Sequence, residues 1–183
     1  MNCYGGKDLA RAFRTVRENT VKVAEEIPES GYDFTAAPGI RTVRQLLTHI
    51  ALLDSFSSFH KEKRTNFDGL NFPAFVAQMQ AEEAKPRTKA EVIALLKQRG
   101  EETAKWLESL SDDFLAEQFA QPVGTPATKS RFEMIMSMKE HEMHHRGQLM
   151  LMQRMMGIVP HLTRAMQERL AQMQLQTQGK KGA

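Results

Sequence analysis

The sequence has little of what would direct a chain out of the cytoplasm or into a membrane. Cys3 is the only cysteine among 183 residues, so no internal disulfide can form. The opening residues, MNCYGGKDLARAF, lack the apolar core that is typical of a secretory signal. No apolar run approaches the length that spans a bilayer. We therefore expect a cytoplasmic protein that has no membrane partner.

No run of basic residues marks a surface for nucleic acid. The formal net charge is only +3, and the lysines and arginines are interleaved with glutamates and aspartates. The one basic cluster outside the helical patterns, GKKGA at 179–183, is typical of a solvated tail. Hydrophobic residues make up 41% and charged residues 26%, as in ordinary globular domains. We expect a single domain over residues 1–175, a flexible tail over 176–183 and no nucleic-acid partner.

Sustained alternation of apolar and polar residues, which is typical of half-buried strands, is also missing. Apolar residues instead recur at every third or fourth position, which predicts amphipathic helices. The long helices are expected at 7–27, at about 42–63, from a Thr88 cap to 110 and at 130–156. Shorter helices are expected at 73–83, 111–119 and 162–174, separated by loops that are rich in turn residues. The prediction is an all-α protein, a four-helix bundle with short extra helices and no sheet.

The helix predicted over 130–156, SRFEMIMSMKEHEMHHRGQLMLMQRMM, contains three of the six histidines. His141 and His145 lie one turn apart on a stripe of mostly methionines, with roughly 6 Å between their Cβ atoms, so both can bind one ion. His144 lies about 100° round the axis and should point elsewhere. Imidazoles buried among apolar side chains need partners for their ring nitrogens, and one divalent cation can satisfy both rings. Hydrogen-bonded core histidines are the alternative that the spacing leaves open.

A third ligand is expected from the second helix. His49 lies on the inward stripe of that helix, which can face the last helix and so bring His49 towards His141 and His145. Three neutral imidazoles with a vacant fourth position are the arrangement that catalytic zinc sites use. A fourth protein ligand such as Asp54 would close the site and favour a structural metal. His60 is roughly 16 Å further along the helix, too far to join the same ion.

The other polar residues near these turns are expected to support the site. Asp54 and Gln148 each fall near a turn that carries a ligand, where they could orient an imidazole ring. His144 and His161 are expected at the surface or in loops, from where either could act as a proton shuttle. Arg146 is expected to have an ordinary surface role.

The same segment also spells H-E-x-x-H, the signature of zinc peptidases, with Glu142 as the general base. We regard this match as accidental. The only acidic candidate for a third ligand downstream is Glu168, which lies beyond the helix-ending Pro160. Gln148 and Leu151 stand where the extended motif has glycine and histidine.

Two segments carry a resemblance to a known family. RTVRQLLTHIALLD around His49, and HEMHHRGQLMLMQRMMGIVP at 141–160, resemble the DinB-like (YfiT-like) four-helix proteins. The second segment is similar to that family's H-x-x-x-H-R-G-Q pattern with its following Gly and Pro turn. The resemblance implies an often homodimeric bundle that holds one divalent metal through His49, His141 and His145. Imidazole ligands suit zinc, nickel, copper and iron, and we expect zinc or nickel.

The resemblance also implies a class of function. Some family members look like metal-dependent transferases or isomerases that activate a low-molecular-weight thiol such as bacillithiol or mycothiol. A metal with an open position lowers the pKa of a bound thiol or water and so produces a nucleophile at neutral pH. We expect a metal-dependent enzyme that acts on a small molecule, with a thiol transferase as the first hypothesis. The alternatives are a metal-dependent hydrolase and a non-catalytic, metal-stabilised module for stress response or dimerisation. No catalytic residue is predicted.

Overall fold

A computed structural model describes residues 4–121 and 127–179 of the chain, apart from the side chains of residues 54–56 and 178–179. The helices of this part of the chain are α1 (Gly6–Glu26), α2 (Val43–Ala51), α3 (Ser58–Lys61), α4 (Phe72–Glu83), α5 (Lys89–Glu108), α6 (Asp112–Ala116), α7 (Arg131–Met155) and α8 (His161–Gly179). Two 3₁₀ segments span Glu29–Gly31 and Leu52–Ser57, and two strands are β1 (Gln118–Ala120) and β2 (Thr128–Ser130).

Four of these helices form the bundle. Both α1 and α2 pack against α5 and against α7. The predicted all-α architecture, a four-helix bundle with short extra helices, is confirmed. The arrangement places the inward faces of α2 and α7 in direct contact, and these are the two faces that carry the candidate ligands.

Three bundle helices begin at capping boxes written in the sequence. The side chains of Thr42, Thr88 and Ser130 each accept a hydrogen bond from the backbone N–H three residues later. In return, the side chains of Gln45, Glu91 and Glu133 accept a hydrogen bond from the backbone N–H of the capping residue. Such a box satisfies two backbone donors that would otherwise have no partner. Helix α7 ends at Met155 and is followed by Gly157 (φ 79°), whose N–H donates to the Arg154 carbonyl oxygen, as a left-handed helix cap requires. The histidine-bearing helix is therefore fixed at both ends by local chemistry.

The core of the bundle consists of two apolar clusters at successive levels. The first contains residues from the second half of α1 together with α2, α5 and the end of α7, among them Val23, Ile27, Leu47, Ile50, Leu96 and Leu149. The second contains residues from the first half of α1, the end of α5, α6 and the start of α7, among them Leu9, Phe13, Ala104, Leu107, Leu115 and Ile135. Each fully buried Leu, Ile or Phe stabilises the fold by about 1.5–3 kcal/mol.

A buried ion pair joins α1 to α7. On each helix its residue lies between the positions that belong to the two clusters. Arg17 Nε is 3.0 Å from Glu142 Oε1, and both side chains are buried. The same guanidinium donates to the carbonyl oxygens of Leu96 on α5 and Ile50 in the last turn of α2. Gly100 leaves room for this side chain, because a Cβ there would lie 2.6 Å from Arg17 Cγ. Arg17 thus joins its own helix to the other three helices of the bundle.

The second predicted helix differs from the structure, because the stretch 42–63 is not one α-helix. The chain passes from α2 into the 3₁₀ segment Leu52–Ser57 and then into the short α3. The stretch LLDSFSS has three serines, which compete for backbone hydrogen bonds and favour helices weakly. A 3₁₀ helix turns about 20° more per residue than an α-helix, so six such residues rotate the following side chains by about 120°. The stripe predicted to run from His49 to His60 is therefore broken.

The prediction that the chain has no sheet is wrong in one place. Strand β1 pairs antiparallel with β2, with Gln118 opposite Ser130 and Ala120 opposite Thr128. Three residues per strand are too few for an alternating pattern to be recognised in a sequence. The pairing also ends the helix predicted at 111–119 early, since α6 stops at Ala116.

The last helix is longer than the predicted 162–174, since α8 runs from His161 to Gly179. His161 is not a surface residue: only 6% of it is exposed, and its Nε2 lies 3.0 Å from Asn19 Oδ1. The helix continues past residue 175, so the limits 1–175 and 176–183 for domain and tail stay a prediction. Among the described helices, none combines the length and the apolar character needed to cross a membrane.

Candidate metal centre

The three predicted ligands come together between α2 and α7. His141 Nε2 lies 3.3 Å from His49 Nε2 and 2.8 Å from His145 Nε2. One nitrogen of each ring lies within 4.8 Å of the other two. His145 is buried, and the other two rings are half-buried. One ring comes from α2 and two come from one face of α7, as the spacing in the sequence predicted.

A carboxylate holds the outer nitrogen of His49. Glu83, at the end of α4, places Oε1 2.7 Å from His49 Nδ1. The same carboxylate accepts a bond of 2.6 Å from Arg41 Nε. Because an ionised carboxylate can only accept, His49 carries its proton on Nδ1 and turns the lone pair of Nε2 towards the cluster. Carboxylate–histidine pairs of this kind orient ligand rings in metal sites.

The side-chain amide of Gln148 holds the outer nitrogen of His145 in the same way. Gln148 Oε1 lies 2.8 Å from His145 Nδ1, which gives the position predicted for a ring-orienting residue. Gln148 Nε2 lies 3.2 Å from Nε2 of the exposed His144. His145 therefore also presents the lone pair of Nε2 to the cluster, and His144 stays outside it as expected. The side chain of Asp54, the other predicted support, lies outside the described residues.

The surroundings of His141 and His145 favour uncharged rings, and those of Glu83 favour a charged carboxylate. Burial, followed by the neighbouring rings of His145 and His49, lowers the pKa of His141 to about 4. Burial also lowers the pKa of His145, although the bond to Gln148 opposes this shift. Burial opposes the ionisation of Glu83, but the hydrogen bonds from His49 and Arg41 outweigh it and lower the pKa of this carboxyl. Neutral imidazoles beside an anion are the state in which histidines bind metals.

The nitrogen separations suit a single divalent ion. Two nitrogens at about 2.0–2.1 Å from a tetrahedral zinc lie about 3.3 Å apart. The distance of 3.3 Å between His49 and His141 matches this value. The distance of 2.8 Å between His141 and His145 is shorter, so these rings would separate by about 0.5 Å around an ion. Lone pairs this close repel one another unless a proton or a cation lies between them, and the donor set therefore fits a metal.

Within the described part of the chain this cluster contains three ligands. A divalent ion held by three protein nitrogens keeps a position for water or substrate. With these three described ligands alone the site would be open, unlike the closed sites of four protein ligands that only stabilise a fold. The structure therefore offers the geometry of a reactive centre.

The peptidase reading of H-E-x-x-H does not fit the structure. Glu142 is completely buried and accepts three hydrogen bonds from Arg17. A carboxylate held in this way in the core cannot take a proton from a water in the cluster. Glu168 is exposed on α8 and does not join the three histidines. Arg146 is also structural, since its NH1 donates to the Val16 carbonyl oxygen.

Two cavities border the cluster. The first, which we call the apolar cavity, has a volume of about 310 Å³ and includes His141 in its wall. The second, which we call the polar cavity, has a volume of about 550 Å³. Its wall contains the polar side chains of His145, Arg41, Gln45, Gln80, Glu83 and Gln148 beside apolar residues that include Ile40, Leu46, Leu151 and Met152. Ligand sites commonly have volumes of about 300–1,000 Å³. The candidate centre therefore lies between a mostly apolar space and a space whose wall also contains charged and amide side chains.

The fold and the site together define a class of protein. It is a helical bundle in which three imidazoles converge from α2 and α7. Residues 12–149 match the DinB superfamily, which is more than half of the chain. The chain belongs to the DinB superfamily, and the resemblance predicted from the two histidine segments is confirmed. A comparison with curated proteins finds none that matches.

Several solved structures share the fold. A DinB-like protein of Bacillus subtilis, YjoA, is 23% identical with a TM-score of 0.59, covering 81% of this chain and 92% of its own. YfiT of Bacillus subtilis, described as a probable metal-dependent hydrolase with an unusual four-helix bundle topology, is 18% identical with a TM-score of 0.63, covering 84% and 88%. An uncharacterised protein of Clostridium difficile 630 is 14% identical with a TM-score of 0.64, covering 84% and 98%. At these identities the likeness shows the fold.

Proposed function

We propose that this protein is a divalent-metal enzyme that activates a small nucleophile at the centre formed by His49, His141 and His145. The observation that carries the proposal is the convergence of three Nε2 atoms, with two outer Nδ1 atoms held by Glu83 and Gln148. A bound divalent ion would act there as a Lewis acid and lower the pKa of a thiol or water.

The protein's own residues would orient the centre and control access to it. Glu83 and Gln148 keep the rings of His49 and His145 turned inward, so little reorganisation is needed when a ligand arrives. Arg41 and the amides of Gln45 and Gln80 give the polar cavity groups that can bind a polar or anionic part of a substrate. The half-buried position of the rings limits water around the reacting atoms and strengthens charge interactions there.

Transfer of a low-molecular-weight thiol is the first reaction that we propose. Membership of the DinB superfamily supports it, together with a polar cavity large enough for a hydrophilic thiol beside His145. Hydrolysis is the second candidate, because the description of YfiT names a metal-dependent hydrolase. The two reactions differ in whether a sulfur or a water oxygen is the nucleophile.

The proposal includes zinc or nickel as the ion, because neutral imidazole nitrogens suit both. It also includes a homodimer. Met166, Leu170 and Met173 on α8 are each about half exposed and recur at spacings of four and three, which supports a contact between two copies. Sedimentation of a Leu170→Glu variant tests this part. That the protein acts in the cytoplasm stays a prediction from the sequence.

Cobalt substitution tests the choice of nucleophile. Co²⁺-loaded protein is mixed in turn with bacillithiol, mycothiol, glutathione and coenzyme A, and the absorption spectrum is recorded. A thiolate that binds the metal gives a sulfur-to-metal charge-transfer band, and we expect one of these thiols to produce it. That thiol should then conjugate an electrophile, and the reaction should disappear in His145→Ala.

The same experiment separates the alternatives. If no thiol changes the cobalt spectrum while the protein cleaves esters or amides, the hydrolase replaces the transferase. If neither thiol nor water exchanges at the cobalt, and four protein ligands hold it, the non-catalytic module is correct. His144→Ala is the matched control, because this exposed histidine is on the same helix but outside the cluster.

A further inference from the structure

The apolar cavity extends from the histidine cluster towards the start of α7. Its described apolar wall residues are Leu53, Phe67, Met134 and Met138. Met134 and Met138 precede His141 on α7 at spacings of seven and three, so one face of the helix forms the wall and also carries the candidate ligand. A group bound in this cavity would therefore lie beside the position where a metal-bound substrate reacts.

The polar side chains of Ser137 and His60 in this wall already have hydrogen-bond partners. Ser137 Oγ donates to the Met134 carbonyl oxygen at 2.6 Å. His60 Nδ1 lies 3.2 Å from Arg131 NH1, and an arginine can only donate, so Nδ1 accepts and the ring proton is on Nε2. Burial, followed by the charge of Arg131, lowers the pKa of His60 to about 4, which keeps this ring neutral. Apart from His141, the described wall residues thus contribute methionine, leucine and aromatic surface, a hydrogen-bonded serine and a neutral His60.

We infer that the apolar cavity binds an uncharged hydrocarbon or aryl arm of the substrate, next to the group that reacts at the three-histidine centre. This inference rests on the proposed function and adds a substrate class to it. The substrates are small molecules in which a short apolar arm is attached directly to the metal-reactive group. Their polar or anionic remainder lies in the polar cavity, beside Arg41 and Gln45.

Size and polarity support this assignment of the two arms. The apolar cavity, at about 310 Å³, is near the lower end of ligand sites and admits an arm of only a few carbons. A carboxylate placed there would lose its hydration without gaining a cationic partner among the described wall residues, and burying an unpaired charge is strongly unfavourable. The polar cavity instead contains a guanidinium and several amides.

Alkyl hydroxamates of rising length test the inference, because the hydroxamate group chelates a metal and the alkyl chain supplies the arm. The full-length protein is loaded with Co²⁺, and the dissociation constants of acetohydroxamate, butanohydroxamate, hexanohydroxamate and octanohydroxamate are read from the cobalt spectrum. A fully buried methylene tightens binding by about fourfold. We expect binding to tighten by at least about tenfold from acetohydroxamate to hexanohydroxamate and then to level off once the cavity is full.

Two tryptophan variants identify the cavity that holds the chain. Ser137→Trp places a large ring at the exposed edge of the apolar cavity, and Leu151→Trp does the same at the edge of the polar cavity. Ser137→Trp should bind acetohydroxamate as the parent protein does and lose the gain with chain length. Leu151→Trp should keep that gain. Suberic acid monohydroxamate, which has the length of octanohydroxamate but ends in a carboxylate, should bind more weakly than octanohydroxamate.

The opposite results would overturn the inference. Loss of the chain-length gain in Leu151→Trp, or tighter binding of the carboxylate-ended probe, would put the arm in the polar cavity. An acetohydroxamate response without any gain from longer chains would leave the metal centre in place and remove the apolar arm. Cobalt that does not bind, or does not respond to acetohydroxamate, would remove the proposed function and this inference with it.

Discussion

His49 and Glu83 are 34 residues apart in the sequence, and their side chains meet at 2.7 Å between Nδ1 and Oε1. Glu83 belongs to α4, which is a short helix outside the four-helix bundle but packs on α2. Its carboxylate is buried and also binds Arg41. A peripheral helix therefore fixes the tautomer and the direction of a candidate metal ligand.

Glu83→Gln should weaken metal binding without changing the ligand set. The amide can present either an acceptor or a donor to His49, and it lacks the charge that favours a proton on Nδ1. Changes in such supporting partners typically reduce metal affinity by about 10–100-fold, and we expect a loss of about that size. Competition with a chromogenic chelator measures the dissociation constant. Glu82→Gln is the control, because it removes the same charge one residue away, where Glu82 pairs with Lys85 and Arg87. Equal affinities in the Glu83 and Glu82 variants would show that Glu83 does not position His49.

His49→Ala, His141→Ala and His145→Ala should each bind metal far less than the parent protein. The three Nε2 atoms converge on one position, so each substitution removes one of three ligand atoms. Elemental analysis after loading with one equivalent of zinc, followed by gel filtration, gives the metal content. His144→Ala should retain the parent value. Undiminished metal in the His49 variant would contradict the three-histidine assignment.

Glu142→Ala should destabilise the fold and leave the metal affinity of the folded protein intact. The substitution leaves the buried Arg17 without its carboxylate, and breaking a buried ion pair by removing one partner costs about 3–5 kcal/mol. Urea unfolding of the metal-free protein measures this loss. Glu140→Ala, at an exposed position two residues earlier, should change the stability by less than about 0.5 kcal/mol. A Glu142 variant that is as stable as the parent protein but loses metal would support the peptidase interpretation instead.

The stability of the metal-free protein should fall with acidity in part through His60. The pKa of His60 is lowered from 6.5 to about 4 in the folded chain, so the unfolded chain binds this proton first. The contribution is therefore fully present above pH 6.5 and is lost as pH falls towards 4, by an amount on the order of 3 kcal/mol. Urea midpoints between pH 4 and 7 should fall less steeply in His60→Gln, whose amide oxygen can still accept from Arg131. Parallel curves for the two proteins would contradict the shift. All other titratable residues are the same in the two proteins, so their contributions cancel in the comparison.

The sequence predicted those parts of the molecule that local chemistry determines. The helix that carries His141 and His145 follows from a capping box at Ser130, a helical stripe and a glycine cap, so its limits and the pairing of these histidines were predictable. His49 was predictable because it lies on an inward stripe of a helix that packs on α7. The family segments led to the same three residues.

Other parts depend on contacts between distant segments, which no local pattern reports. Glu83 was missed because α4 has little amphipathic pattern, and only Met79 and Glu83 are buried on it. Arg17 was missed because an arginine on a helix is usually solvated, and its burial requires Glu142 together with two carbonyl oxygens on other helices. The 3₁₀ segment that displaces His60 was missed because apolar residues three or four positions apart in a short stretch are compatible with either helix type.

The pair formed by Arg17 and Glu142 also constrains the order in which the bundle can be completed during synthesis. The two residues are 125 positions apart, so α1, α2 and α5 are all synthesised before the carboxylate of Glu142 exists as a partner. Until then the permanently charged guanidinium of Arg17, in the middle of the helix against which α5 packs, has no carboxylate partner and must stay hydrated. A nascent chain of three helices therefore cannot close a dry core, and the arrival of the last long helix both neutralises that charge and brings His141 and His145 to His49.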